Sequence, residues 1–83
     1  MALYRSKTGA VAEATRFLLG GPPQAGVKTD SGGKFVEAQR DGYIDKQSLS
    51  DGDFVVADPD PSRGFHRVPA HLFVMNWTLV LPQ

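Results

Sequence analysis

The side chains able to do chemistry gather in the last third of the chain. His66 and His71 are the only two histidines; Asp58 and Asp60 lie just upstream, and Arg63, Phe65 and Arg67 stand among them. A metal centre would need a third or fourth ligand at fixed geometry, and no recognised ligand spacing supplies one. Hydrolysis would need His66 or His71 as base, an aspartate to orient it and a serine nucleophile, yet no serine sits in a Gly-x-Ser-x-Gly elbow. Binding is the chemistry that remains. Arg63, Phe65, His66, Arg67 and His71 mix cationic with ring character, which suits stacking on a nucleotide or contact with an acidic partner. Trp77 is a further ring for such a ligand, and no cofactor is expected.

A second cluster is acidic. Between residues 41 and 60 stand Asp41, Asp45, Asp51, Asp53, Asp58 and Asp60, against Lys46 alone. Asp51-Gly52-Asp53-Phe54 breaks the calcium-loop pattern and runs directly into apolar residues, so turn chemistry explains these aspartates better than calcium does. Asp51, Gly52 and Asp53 are therefore read as a structural turn, with Asp53 accepting turn N–H groups and fixing the start of the strand that follows. Asp58 and Asp60 also offer an acidic surface to a partner, in the manner of a nucleic-acid mimic.

These residues must be positioned by one small domain. The chain has 83 residues, 41% of them hydrophobic and 22% charged, which is ordinary globular usage. Nine basic side chains balance nine acidic ones, so no general attraction to nucleic acid or anionic lipid is built in. With no cysteine there is neither a disulfide nor a thiolate site, in keeping with a reducing compartment. The N-terminal residues lack the apolar core of a signal peptide, and no apolar run is long enough to span a membrane. A soluble cytoplasmic protein is the expectation.

Along the chain, residues 2 to 6 read as a short edge strand around Leu3 and Tyr4. Ala10 to Leu19 reads as a helix: three alanines, a Thr8 cap, a Glu13 and Arg16 pair, apolar Ala10, Ala14, Phe17 and Leu18, and a stop at Gly20-Gly21-Pro22-Pro23. The extended alternative would put Val11, Thr15 and Phe17 on one face, interrupted by Glu13. Val27–Thr29 and Lys34–Ala38 flank the turn-rich Asp30-Ser31-Gly32-Gly33 as a hairpin. Arg40-Asp41-Gly42 is another turn, followed by a brief Tyr43-Ile44 pairing and a polar stretch to Ser50. Phe54 to Ala57 has four successive apolar residues and is read as the sheet centre. The Asp58–Gly64 connector, with two prolines, returns the chain as Phe65–Val68 in an antiparallel hairpin. Pro69 to Phe73 reads as one helical or 3₁₀ turn, and Asn76 to Leu81 as a last strand with Trp77, Leu79 and Leu81 on one face.

At Ser50-Asp51-Gly52-Asp53-Phe54-Val55-Val56 the chain resembles small bacterial and phage proteins of the PGDYG type, in which a Gly-Asp-aromatic turn leads into a strand. Tyr4-Arg5, Val11-Ala12-Glu13-Ala14, Phe17, Val68 and Phe73 are similar to the family's opening and closing segments. Asp51 stands where the motif has Pro, Phe54 where it has Tyr, and Val55 where it has Gly. The resemblance implies a strand, not a helix, over Val11–Phe17, and a (pro)phage or accessory protein without catalytic residues to carry over. The Arg67–Val74 stretch is also similar to the closing turn of SH3-like barrels.

The fold class expected is α+β: a small antiparallel sheet of four or five strands with one N-terminal helix over residues 10–19, the alternative being an all-β SH3-like barrel. The expected core is Leu3, Val11, Phe17, Leu18, Phe35, Ile44, Phe54, Val55, Val56, Val68, Leu72, Phe73, Trp77 and Leu79. The function expected is that of a noncatalytic module binding a protein partner and modulating a host system. A nucleotide or small-ligand binder using Arg63, His66, Arg67 and Trp77 is the alternative from another class, and a self-associating subunit, a homodimer through exposed strand edges, is a third.

Overall fold

A computed structural model describes residues 2–80. Among the described residues eight strands form: β1 (Ala2–Ser6), β2 (Val11–Arg16), β3 (Lys28–Asp30), β4 (Gly33–Arg40), β5 (Tyr43–Ser48), β6 (Phe54–Ala57), β7 (Phe65–Val68) and β8 (Trp77–Leu79). A 3₁₀ turn, Pro61–Arg63, lies between β6 and β7, and one short helix, α1 (Ala70–Asn76), lies between β7 and β8. The strands make a five-stranded sheet in the order β7-β6-β2-β1-β8 and a three-stranded sheet β3-β4-β5, with every pairing antiparallel. The architecture is antiparallel sheet with one helix. The sheets do not close into a barrel; a bridge between Ala38 and Gly64 links β4 to the start of β7.

The expected helix over residues 10–19 is not formed. Val11–Arg16 is β2, the middle strand of the larger sheet, paired with β1 on one side and β6 on the other. The reason lies across the sheet. Ala12 and Ala14 point at Phe73 and are almost wholly buried, so this face of β2 needs side chains small enough to admit an aromatic ring above them. Alanine satisfies that demand at some cost in strand propensity, and tertiary context overrides the local helix preference. Two further corrections concern position in the sheet. β1 is not an edge, because β8 pairs outside it through Tyr4↔Leu79, Arg5↔Thr78 and Ser6↔Trp77. β6 is interior but not central, and β2 takes the centre.

The alternation of side chains along the strands divides the core into two layers. On one face of the larger sheet Tyr4, Ala12, Ala14, Phe54, Val56, Val68 and Trp77 pack around Phe73 of α1. Phe73 stacks on Phe54 at 3.8 Å between centroids, and on Trp77 at 5.7 Å, with ring planes within 6° in each case. Tyr4 meets it edge-on at 4.8 Å. On the other face Val55 and Phe17 meet Val36 of the smaller sheet, with Val27, Leu49 and Phe65 around them.

Of the expected core, Phe17, Val55, Val56 and Phe73 are buried, and Phe35, Phe54, Val68 and Trp77 half-buried. Leu3, Val11, Leu18, Ile44, Leu72 and Leu79 are exposed instead, Ile44 and Leu72 on the outer sides of the smaller sheet and of α1. Ala12, Ala14, Val36 and Ala38, outside the expected set, complete the core. The polar stretch after Ile44 also proves regular. β5 runs through Ser48, and Lys46 and Ser48 are among its exposed residues on an edge strand, where charge and polarity suit solvent. Leu81 and Pro82, expected to end the last strand, lie outside the described residues.

Candidate functional site

The turn before β6 is built first from its own backbone. Gly52 has φ of +89°, a conformation that favours glycine, and its N–H donates to the Phe17 carbonyl at 2.7 Å. Phe17 N–H returns a bond to the Asp53 carbonyl at 2.7 Å, and Leu19 N–H donates to Asp51 Oδ1 at 2.7 Å. Asp51, Gly52 and Asp53 thus clasp the segment leaving β2. The Asp53 carboxylate is buried, and its Oδ2 accepts the Ser50 N–H at 2.8 Å and the Arg67 Nε–H at 2.6 Å. Arg67 reaches it from β7, across the turn.

Arg67 is therefore committed to the fold. Its backbone N–H donates to Gln47 Oε1 at 2.6 Å, and Gln47 Nε2 in turn donates to Asp45 Oδ2 at 2.9 Å. That hydrogen bond, followed by the nearby Arg40, holds the Asp45 carboxyl below the ordinary carboxylate range. Gln47, absent from the candidates read in the sequence, is the side chain that ties β5 to β7.

The mixed basic and aromatic patch does not assemble as one surface. Neighbouring residues of a strand point to opposite faces. Phe65 turns toward Val36 and Val55 and lies over Gly26, where an added Cβ would run into its ring. His66, paired with Val56 in the hairpin register, turns to the α1 side. Arg63 sits in the 3₁₀ turn 3.9 Å from Asp60, and His71 is exposed on α1.

What the structure does bring together is Asp58, His66 and Trp77. His66 Nε2 lies 2.9 Å from Asp58 Oδ2, both side chains about four-fifths buried, while Asp58 Oδ1 accepts the Asp60 N–H at 2.9 Å. The bond from His66, and then that from Asp60, hold the Asp58 carboxyl below its ordinary range against the opposing effect of burial. Asp60 caps the 3₁₀ turn. Its Oδ1 accepts Ser62 Oγ–H at 2.8 Å and Ser62 N–H at 3.0 Å, which lower its own pKa, the hydroxyl foremost. Asp58 and His66 line a cleft of about 250 Å³ together with, among others, Ala12, Val56, Val68 and Trp77. The hairpin register alone would have placed Asp58 beside His66. Trp77 arrives only through the pairing of β8 with β1.

The acidic segment is largely satisfied from within. Of its six aspartates, Asp41 alone makes no side-chain hydrogen bond or ion pair among the described residues. The same residues contain no group of three or more His, Asp or Glu side chains able to hold a metal ion, and no helix long and apolar enough to cross a membrane. No protein-family model, curated protein or solved structure matches the chain.

Proposed function

We propose that this is a noncatalytic binding module of phage or prophage origin, which engages a protein partner of its host and modulates it through the surface made by α1 and β8. The observation that supports the reading is the outer face of α1. This helix buries Phe73 and leaves Leu72, Val74 and Met75 exposed, with Leu79 exposed on the strand that follows. Apolar side chains grouped on one short element favour a partner over solvent. β8 also ends the larger sheet, so among the described residues its outer edge offers unpaired backbone groups to an added strand. The acidic segment contributes less, since its carboxylates other than Asp41 are already engaged within the chain. The origin rests on the resemblance at Ser50–Val56.

The test is capture from a bacterial host lysate by the wild type and by a Val74→Glu, Met75→Glu variant, with light scattering on each purified protein. Both changed residues are exposed, so melting temperatures should agree within the effect of about 0.5 kcal/mol typical of surface changes. The reading expects a stoichiometric partner held by the wild type and lost from the variant. Equal capture by both proteins would overturn it, and a wild-type dimer that the variant abolishes would make the partner a second copy of the chain.

A further inference from the structure

The cleft beside Trp77 carries a second inference, independent of the partner surface. Apart from Trp77 its lining is Ala10, Ala12, Val56, Pro59 and Val68, aliphatic and small, together with the hydrogen-bonded Asp58 and His66 side chains. Trp77 ends the parallel stack that runs Phe54, Phe73, Trp77, and it lines the cleft, which Phe73 does not. We infer that this cleft binds a small, flat nitrogen heterocycle of one or two fused rings, which continues the aromatic stack on Trp77 and donates an N–H to Asp58.

The volume of about 250 Å³ falls just below that of pockets for drug-sized molecules and matches a small ring system. Parallel aromatic faces favour a further ring in offset stacking. An ionised carboxylate only accepts hydrogen bonds and has about four lone-pair directions, of which Asp58 uses two, on Asp60 N–H and His66 Nε2. The ligand must therefore donate. Anionic rings are disfavoured beside that carboxylate, and neither Arg63 nor Arg67 lines the cleft to receive a phosphate. The chemistry selects a bare base or similar heterocycle over a nucleotide.

Trp77 is the sole tryptophan, so its emission reports occupancy directly. Benzimidazole is titrated against the wild type while Trp77 fluorescence and backbone amide shifts are followed, with benzoate as the anionic ring of similar breadth. The expected result is a saturable change in Trp77 emission with benzimidazole, amide shifts centred on Ala12, Val56 and His66, and no saturation with benzoate. Asp58→Asn should weaken binding about tenfold, the loss of a charge-assisted hydrogen bond. Ala10→Leu fills the cleft from an exposed position and should abolish the response at an unchanged melting temperature. Benzoate binding as tightly as benzimidazole, no saturation up to millimolar benzimidazole, or an Ala10→Leu protein that responds like wild type would each overturn the assignment.

Discussion

Gly64→Ala probes the seam between the two sheets. Gly64 adopts φ of 76° and ψ of −135°, a region that glycine enters freely and other residues avoid. A Cβ there would stand 2.5 Å from the Glu37 carbonyl oxygen of β4, so the obstacle is backbone and cannot rotate away. Restoring ordinary contact parts β4 from β7 by about 1 Å, enough to forfeit a quarter to a half of the dispersion energy between the atoms that separate. The seam includes the Ala38–Gly64 bridge and the wholly buried Val36 and Ala38. Backbone strain of about 1–3 kcal/mol together with the loosened seam gives an expected cost near 3 kcal/mol or more, a large share of the 5–15 kcal/mol that typically stabilises a domain. Gly42→Ala is the control: φ there is +85°, but nothing lies within 4 Å of the added Cβ, so only strain of about 1–2 kcal/mol is expected. Thermal and urea unfolding of the two variants separate the effects, since each 1 kcal/mol lowers the melting temperature by about 4–8 °C in a domain of this size. Equal losses in the two variants would refute the argument that β4 and β7 are held in close backbone contact.

Two further outcomes follow from the polar contacts. Arg67→Met removes the guanidinium from buried Asp53 and should cost about 2 kcal/mol, tempered because Arg67 itself is partly exposed. Adding Asp53→Asn should recover part of that loss, so urea unfolding of the full double-mutant cycle should show non-additivity, and strict additivity would remove the pair from the account of stability. The second outcome concerns acid. Because the folded state holds the Asp58 carboxyl below its ordinary range, its contribution is complete above about pH 5 and is lost as pH falls through the ordinary carboxylate range and the lowered value. Asp58→Asn should therefore lose less stability than wild type between pH 5 and the acid limit. Parallel stability curves from urea unfolding would show that the His66 contact does nothing for that carboxylate.

Local turns, and the elements that they join, follow from neighbouring residues alone. Asp30–Gly33 closes β3 on β4, Asp41-Gly42 closes β4 on β5, and the proline-bearing connector closes β6 on β7, because glycine, proline and aspartate fix backbone geometry within a few residues. Asp51-Gly52-Asp53 sits where its composition put it, at the turn before β6, and α1 follows Val68-Pro69 where a helical turn was read, extending through Asn76. The conformation of residues 11–16 depends instead on distant packing. Their alanines favour a helix in isolation, but Phe73, some sixty residues away, occupies the space above Ala12 and Ala14 and makes small strand residues the ones that fit. The same non-local pairing placed β8 beyond β1 and thereby carried Trp77 to the cleft formed by Asp58 and His66. Turn chemistry acts through neighbours in the chain and is legible there; the ring stack and the cleft depend on partners that only the assembled sheet brings together.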